Sequence, residues 1–340
     1  MKLISFVVPS YNSEAYLNKC IDSLLIGGDD VEIIIVNDGS KDKTIDIANE
    51  YALKYPSIVK VIDKENGGHG SGLNAGLDNA TGLYYKCVDS DDWVDRDEYL
   101  KVLKTIKEHQ AKGIDVDLYL TNYVFERVDL NKSFVASTNK IPKNRLIGWN
   151  DVKRLGVAEF LMMHSVIYKL SILRESGLVL PEHTFYVDTI FTYVPLKLVN
   201  SIYFIDADFY RYYVGRPDQS VTFENMTKNY KMQLKVMYEL SLAYSWDELK
   251  ALPGAKRRFI LHDLIVKSYL TLFYIMAGYN KEKKEAYRAY FKEFKEKNRG
   301  LYYKLRYRTY FLFPFTLILP LRKWVVMTGY KKLMKKTNWN

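Results

Sequence analysis

The first hundred residues alternate between short apolar runs and longer runs in which apolar positions recur at helical spacing. Four apolar, β-branched runs predict strands buried on both faces: residues 3–8, 31–36, 58–62 and 83–88. Three runs between them predict helices: residues 13–25, 43–55 and 71–80. Ser13 is the predicted N-cap of the first helix. Buried strands that alternate with helices are typical of a parallel sheet covered on both faces, so this region predicts an α/β fold.

The pattern is less regular between residues 110 and 220. Two runs there predict strands, residues 116–123 and 201–213, and two predict helices, residues 150–155 and 165–177. Long helical periodicity begins after Phe223, over residues 229–244, 255–277 and 281–297. We therefore predict a domain over residues 1–222, with halves 1–105 and 106–222, followed by a helical region over 223–340.

Composition indicates a packed globular protein, since 48% of the 340 residues are hydrophobic. The two cysteines, Cys20 and Cys87, lie in apolar segments. This placement indicates small buried side chains in a reducing compartment rather than a disulfide framework. The first residues form a short strand-like run that stops at Pro9, without the pattern of a secretory signal peptide.

Positive charge is concentrated in the last 44 residues, which contain eleven lysines and arginines and no acid. Because the whole chain carries a net charge of +10, residues 1–296 carry −1. Residues 311–321 are apolar, but they are too few to span a bilayer and are interrupted by Pro314 and Pro320. Tyrosines, Trp324 and basic residues flank them.

This mixture of aromatic, apolar and basic residues is typical of a helix that lies in the membrane interface. We predict that residues 297–340 bind an anionic membrane surface, which would place the protein at the cytoplasmic face of the cell membrane. Nucleic acid is the rival partner for a basic, tyrosine-rich segment, and packing on the protein's own helices is a third possibility. The membrane is favoured over nucleic acid because residues 311–321 are more apolar than a phosphate-binding surface requires.

Three carboxylates, Asp89, Asp91 and Asp92, follow the fourth predicted strand within four residues. They would repel one another unless a cation or a sugar hydroxyl shared the site. Open α/β sheets bind their ligands at the carboxyl ends of their strands, where these acids are expected. The simpler interpretation is that Asp91 or Asp92 caps a helix over residues 93–106.

The ends of the first two strands also provide polar groups at this edge of the sheet. Tyr11 offers a flat face for a nucleotide base, and Asp38 offers a carboxylate to a ring N–H or a ribose hydroxyl. Residues 65–76 are rich in glycine and precede a helix, which lets the backbone approach a diphosphate at the helix N-terminus. They contain no P-loop pattern.

Four motifs occur in register: VVPSYN at residues 7–12, IIVNDGSKDKT at 34–44, the glycine-rich residues 66–76, and VDSDDW at 88–93. They resemble the family 2 glycosyltransferases with a GT-A fold, over roughly residues 3–220. The resemblance implies a Rossmann-like, mostly parallel central sheet flanked by helices, with a C-terminal helical, membrane-associating extension.

The resemblance also implies the site. The residues it assigns to the nucleotide sugar are Pro9, Tyr11, Asn12, Asp38, Asn66, Gly67, Gly68, Asn74, Asp89 and Ser90. Asp91, with Asp89, would ligate Mn²⁺ or Mg²⁺, which bridges the diphosphate and neutralises the departing nucleoside diphosphate.

An inverting transferase needs a carboxylate that deprotonates the acceptor hydroxyl. Family members often place it in a Glu-Asp pair that opens a helix about a hundred residues after the acidic motif. Here the matching residues are Val187 and Asp188, so Asp188 is the predicted base and the glutamate is missing. An acid that only caps the helix or stabilises its first turn would occupy the same position in the sequence.

A second departure is Leu73, which stands where members often have an arginine; Lys64 or His69 could supply the missing positive contact. Arg211, Arg216 and Gln219 lie in a late loop that could reach the diphosphate or the acceptor, although a surface loop would have the same sequence character. For His164 we favour a buried structural role.

The sequence thus predicts a metal-dependent, inverting glycosyltransferase that transfers a hexose from a UDP-sugar. The expected acceptor is a polyprenyl-linked oligosaccharide or a diacylglycerol in surface polysaccharide or glycolipid synthesis. One alternative is a catalytically degenerate domain that serves as a membrane-bound scaffold for another transferase. Nucleotidyl transfer is disfavoured because no Lys/Arg-rich triphosphate loop follows the first strand.

Overall fold

The chain divides into two compact units, the first formed by Met1–Lys153 and Leu161–Gln219, the second by Arg154–Phe160 and Ser220–Asn340. The computed structural model describes residues 2–156, 159–215, 223–276 and 280–308, and position 328. The boundary predicted near residue 222 lies outside the described residues. This boundary stays a prediction. The predicted division of the first domain at residue 105 also stays a prediction.

Ten strands form one sheet in the described part of the first unit: β1 (Ile4–Ser10), β2 (Val31–Asp38), β3 (Val59–Lys64), β4 (Tyr84–Cys87), β5 (Trp93–Val94), β6 (Leu118–Arg127), β7 (Lys132–Ala136), β8 (Leu146–Ile147), β9 (Val166–Lys169) and β10 (Ile202–Val214). Their order is β3-β2-β1-β4-β9-β6-β10-β5, with β7 on β6 and β8 on β10. The first four strands are parallel, as predicted. Beyond β4 the sheet is mixed, because β9 is antiparallel to both neighbours while β10 runs parallel to β6.

Strand β1 lies between β2 and β4, and all of its residues are buried. Val7 is aligned with Ile34 of β2 on one side and with Cys87 of β4 on the other. Because the three strands are parallel and in register, the loops that leave their carboxyl ends meet at one edge of the sheet.

Six helices belong to the described part of the first unit: α1 (Leu17–Leu25), α2 (Thr44–Lys54), α3 (His69–Asn79), α4 (Arg96–Ala111), α5 (Leu170–Glu175) and α6 (Asp188–Tyr193). Helix α3 packs so closely on β1 that a Cβ on Gly76 would clash with the Val7 side chain. The helix that follows the glycine-rich loop is therefore held directly against the central strand.

Two helix starts differ from the prediction. Helix α1 begins at Leu17 rather than after Ser13, whose Oγ lies 2.7 Å from Ser90 Oγ. Helix α4 begins at Arg96 and is capped by Asp95, which accepts from the N–H groups of Asp97 and Glu98. The interpretation of Asp91 or Asp92 as a helix cap is therefore wrong.

Two predicted helices are also wrong. Residues 150–155 contain only the end of a short 3₁₀ turn, Trp149–Asp151. Residues 165–177 contain the strand β9 followed by the short helix α5. A short apolar run is compatible with either state, and here pairing with β4 and β6 selects the strand.

In the second unit, the described residues from 223 onward form the helices α7 (Phe223–Lys228), α8 (Tyr230–Leu242), α9 (Trp246–Ala251), α10 (Gly254–Met276), α11 (Lys281–Lys297) and α12 (Arg299–Arg308). The three long helices predicted there are confirmed as α8, α10 and α11. In the part of the chain that is described, no helix has both the length and the apolar character needed to cross a bilayer. Residues 309–327 and 329–340, most of the predicted membrane-binding tail, lie outside the described residues.

Candidate active site

The loops after β1, β2 and β4 meet at the edge of the sheet where the sequence places the polar motifs. Asn12 links the first two loops, because its backbone N–H donates to Ser40 Oγ at 3.0 Å and its Oδ1 accepts from the Lys41 N–H at 2.8 Å. The contact between Ser13 and Ser90 joins the first loop to the acidic motif. Tyr11 is half exposed beside them, so its ring is accessible to a planar ligand.

Asp38 organises the glycine-rich loop. Its buried carboxylate accepts hydrogen bonds from the backbone N–H groups of Gly67 (2.9 Å) and Gly68 (2.7 Å) and from Lys64 Nζ (2.9 Å). The side chain of Asn66 donates to the Asp38 carbonyl oxygen at 2.8 Å. The N–H groups predicted to approach the donor therefore bind Asp38, and nucleotide contact by these residues stays a prediction.

Asp89 lies between two histidines. His69 Nε2 is 2.9 Å from Asp89 Oδ1, and His164 Nε2 is 3.8 Å from Asp89 Oδ2. Burial alone disfavours the Asp89 carboxylate, but His164 and His69 outweigh it and hold the pKa of Asp89 well below its usual range.

The pKa of His69 is shifted in the opposite direction to that of Asp89. Burial by itself lowers the pKa of His69, but the hydrogen bond and charge of Asp89, with further contributions from Asp188 and Asp91, raise it above the ordinary value. The four residues therefore share one electrostatic site.

The Asp92 carboxylate binds β10. Its Oδ2 accepts from the Tyr210 hydroxyl at 2.5 Å and its Oδ1 from the Tyr213 N–H at 2.8 Å. Burial, followed by the charges of Asp91 and Asp89, raises the pKa of Asp92 well above its usual range. Asp91 is only half-buried. The three carboxylates therefore differ in burial: Asp92 is buried against the sheet, and Asp91 is closer to solvent.

Asp188 is the first residue of α6 and is half-buried. The pKa of Tyr212 is raised well above its ordinary value by burial first, then by the charges of Asp92, Asp89 and Asp91, and last by that of Asp188. Val187, which stands where members of the family often have glutamate, is buried, as is Leu73 in place of the arginine. Both departures are therefore apolar core positions in this chain.

Two of the predicted site residues bind other parts of the protein, and two lie outside the described residues. The Asn74 side chain binds the backbone of Leu180 at both ends of its amide, and its contact with the donor stays a prediction. Arg211 binds Asp95 Oδ2 at 2.7 Å and Glu126 Oε1 at 3.0 Å, which directs its guanidinium to carboxylates of the protein. Arg216 and Gln219 lie outside the described residues.

A buried lysine that sequence reasoning missed lies beneath the acidic motif. Lys86 of β4 donates to the carbonyl oxygens of Met163 (2.9 Å) and His164 (2.6 Å), and its Nζ lies 4.8 Å from the centre of the Tyr210 ring. Burial lowers the pKa of Lys86 to about 7. The only signal in the sequence is a lysine inside an otherwise apolar strand. His164 is buried, as predicted, and its ring stacks on Tyr212.

Two groups of side chains among the described residues bring potential metal ligands within 4.8 Å of one another: His69, Cys87 and Asp89, and Asp89, Asp92 and His164. Both groups share Asp89, and neither includes Asp91. The thiol of Cys87 is a poor ligand, because burial and the neighbouring Asp89 raise its pKa well above the ordinary value. Carboxylate oxygens with a histidine nitrogen suit Mn²⁺ or Mg²⁺, so the residues present fit a divalent cation.

A sheet whose parallel strands carry an aromatic ring, a buried aspartate and an acidic cluster at their carboxyl ends is typical of α/β proteins that bind a ligand there. The family model for glycosyl transferase family 2 matches residues 5–170. These residues, just under half of the chain, are similar to that family, and the fold is that of a GT-A protein.

Similar proteins agree with this assignment. The chain is 33% identical over 224 residues to the poly(ribitol-phosphate) beta-glucosyltransferase of Bacillus spizizenii, which covers 63% of this chain and 32% of that protein. It is 39% identical over 121 residues to the glycosyltransferase GlyA of Streptococcus pneumoniae serotype 4, which covers 35% and 16%. The chain thus matches less than two thirds of the length of these relatives.

The fold matches that of a solved structure over most of both chains. The crystal structure of S. aureus TarS 1-349 in complex with UDP-GlcNAc has a TM-score of 0.66 and 21% identity, covering 88% of this chain and 82% of that one. At this level of identity the similarity shows the fold alone.

Proposed function

We propose that the protein is a metal-dependent, inverting glycosyltransferase that transfers a hexose from a UDP-sugar to a membrane-associated acceptor. The observation that carries the proposal is the acidic motif after β4, where Asp89 lies between His69 (2.9 Å) and His164 (3.8 Å) at the carboxyl edge of the sheet. The relatives support the substrate class, since one is named for glucosyl transfer to poly(ribitol-phosphate) and one solved structure holds UDP-GlcNAc.

Each residue has a chemical task in this proposal. Tyr11 stacks on the nucleotide base, and Asp89 and Asp91 hold the divalent cation. The cation, when bound, neutralises the departing diphosphate. Asp188 accepts the proton of the acceptor hydroxyl, whose oxygen bonds to the anomeric carbon as the bond to the diphosphate breaks. Attack opposite the leaving group inverts the anomeric configuration, which gives a β-linkage from an α-linked donor.

A donor panel tests the activity. The purified protein is incubated with Mn²⁺ and a series of UDP- and GDP-sugars, and release of the nucleoside diphosphate is measured with and without EDTA. We expect one UDP-sugar to be consumed in the presence of Mn²⁺ and spared in EDTA. Absence of both turnover and nucleotide binding for every donor would instead favour a degenerate domain that acts as a scaffold.

We propose further that the basic C-terminal residues hold the enzyme at the cytoplasmic face of the cell membrane, near a lipid-linked acceptor. Each lysine or arginine near an anionic leaflet contributes about 1 kcal/mol of attraction. Truncation after residue 308 keeps the buried Leu301 and Leu305 of α12 and removes the apolar stretch and six of the eleven bases. We expect this variant to lose co-sedimentation with vesicles that contain phosphatidylglycerol.

The matched control keeps the apolar stretch and replaces Lys331, Lys332, Lys335 and Lys336 with glutamine. We expect it to bind anionic vesicles more weakly than the intact chain and neutral vesicles equally. Undiminished binding of the truncated protein to anionic vesicles would show that the tail is not the membrane anchor.

A further inference from the structure

Two loops separated by about 110 residues in sequence contact each other beside the candidate active site. We name residues 65–68, which precede α3, the donor loop, and residues 178–187, which precede α6 and Asp188, the base loop. Asn74 of α3 is the centre of the contact. Its Nδ2 donates to the Leu180 carbonyl oxygen at 2.8 Å, and its Oδ1 accepts from the Leu180 N–H at 2.9 Å.

Two further hydrogen bonds lie on either side of this pair. Ser71 Oγ donates to Glu182 Oε1 at 2.9 Å, and the His183 N–H donates to the Gly67 carbonyl oxygen at 2.7 Å. Four bonds thus attach the base loop to the donor loop and to the first turns of α3.

The contact is too close to admit additional side chains. A Cβ on Gly70 would approach the Pro181 carbonyl oxygen to 2.7 Å. Gly68 has a φ of +83°, and a Cβ there would approach the His183 nitrogen to 3.2 Å. Glycine at these positions therefore lets the two backbones meet.

The base loop is held in an unfavourable backbone conformation. His183 has a φ of 47° and Tyr186 a φ of 67°, the left-handed region that side chains with a Cβ rarely adopt. Such conformations persist when the surrounding structure determines them, and they cluster at functional sites. Hydrogen bonds with Asn74, Ser71 and Gly67 constrain residues 180, 182 and 183, five to eight positions before Asp188.

One peptide unit connects both sides of the contact. The peptide between Gly67 and Gly68 donates its N–H to Asp38 Oδ2, and its carbonyl oxygen accepts from the His183 N–H. Because a peptide bond is planar, its two ends cannot reorient independently. The donor side of the site, through Asp38, is therefore mechanically joined to the loop that carries Asp188.

We propose that Asn74 and Glu182 are positioning residues that fix the base loop, and with it Asp188, relative to the bound donor. The proposal rests on the assignment of Asp188 as the base in the proposed function. The sequence prediction is that Asn74 binds the nucleotide sugar, which would affect the Kd for the donor. Here Asn74 is proposed to affect kcat for transfer instead.

We call the four hydrogen bonds that attach the base loop to the donor loop and α3 the clamp. Asn74→Ala tests it. Removal of the amide leaves both polar groups of Leu180 without this partner, and small displacements of a catalytic group reduce rates by up to about a hundredfold. We expect kcat for transfer to fall by about ten- to a hundredfold, while the Kd for the UDP-sugar, measured by calorimetry, stays within about twofold. Asn74→Asp, which retains the acceptor but opposes a carboxylate oxygen to the Leu180 carbonyl, should be similarly impaired.

Asn79→Ala is the matched control. Asn79 is the last residue of the same helix, and its amide binds Ala75 and Lys60 without contact to the base loop. We expect wild-type kcat for this variant. An Asn74→Ala enzyme with unchanged kcat and a tenfold weaker donor Kd would overturn the proposal and make Asn74 a nucleotide contact.

Glu182 provides a second test, because its side chain is exposed and its replacement does not disturb the core. Glu182→Gln keeps an oxygen that accepts from Ser71, whereas Glu182→Ala does not. We expect the glutamine variant to retain near wild-type kcat and the alanine variant to lose several-fold. Equal activity of the two variants would contradict a role for this hydrogen bond.

Hydrogen exchange separates the clamp from the reaction. Faster exchange of backbone amides in residues 178–187 of Asn74→Ala than of Asn79→Ala supports the clamp even if no donor is turned over, in which case the proposed function alone fails. Identical exchange in the two variants refutes the clamp whatever the activity.

Discussion

Asp188→Asn is expected to abolish sugar transfer while leaving donor binding intact. Asparagine has nearly the shape of aspartate, but its amide cannot accept the proton of the acceptor hydroxyl. General base catalysis contributes about 10² to 10⁴-fold, so we expect kcat to fall by about a thousandfold. Transfer is measured with the donor identified by the panel, and the Kd for that donor is measured by calorimetry.

Asp188 could instead serve only as a first-turn acid that stabilises its helix. Asp97→Asn is the control for this role. Both residues are acids in the first turn of a helix, where a negative charge stabilises the helix dipole, but Asp97 is exposed in α4. We expect Asp97→Asn to retain activity. An Asp188→Asn enzyme within twofold of wild type would refute the assignment of the base.

Asp91→Asn is expected to remove metal-dependent donor binding. The substitution takes one negative charge from the acidic cluster and replaces a strong cation ligand with a weak amide oxygen. Loss of partners in the outer shell of a metal site alone reduces affinity by about 10- to 100-fold, so we expect at least a hundredfold loss of Mn²⁺ affinity here. Calorimetric titration with Mn²⁺ and UDP, in parallel with an EDTA-treated sample, measures it.

Asp95→Asn is the matched control, because Asp95 lies in the same segment and binds Arg211 and the start of α4. We expect lower thermal stability and unchanged Mn²⁺ affinity. Asp92→Asn distinguishes the alternative ligand set. If Mn²⁺ affinity survived in Asp91→Asn and was lost in Asp92→Asn, the metal would belong to the group of Asp89, Asp92 and His164.

The parallel half of the fold is readable from the sequence because its strands are buried on both faces and appear as continuous apolar runs. Beyond residue 110 this signal weakens. Residues 165–177 predict a helix, yet their first half forms the strand β9, since apolar residues there fit either state. Its state is determined by pairing with β4 and β6, and such long-range pairing is not encoded in a local pattern.

The candidate site shows the same limit. The sequence predicts that Tyr11, Asp38 and Asp89 lie at one edge of the sheet, because the carboxyl ends of parallel strands meet there. It does not predict the partner of each side chain. Asn74 binds Leu180, Asp92 binds Tyr210, and each pair is separated by more than a hundred residues. Lys86 is identifiable as unusual from its apolar neighbours, but its two carbonyl partners are not.

The peptide between Gly67 and Gly68 has a thermodynamic consequence. If donor binding at Asp38 favours one orientation of this peptide, and that orientation favours the productive base loop, the donor and acceptor sites are coupled. Linkage then requires reciprocity: the factor by which the donor strengthens acceptor binding equals the factor by which the acceptor strengthens donor binding. The binding free energies of donor and acceptor would then be coupled through the peptide between Gly67 and Gly68.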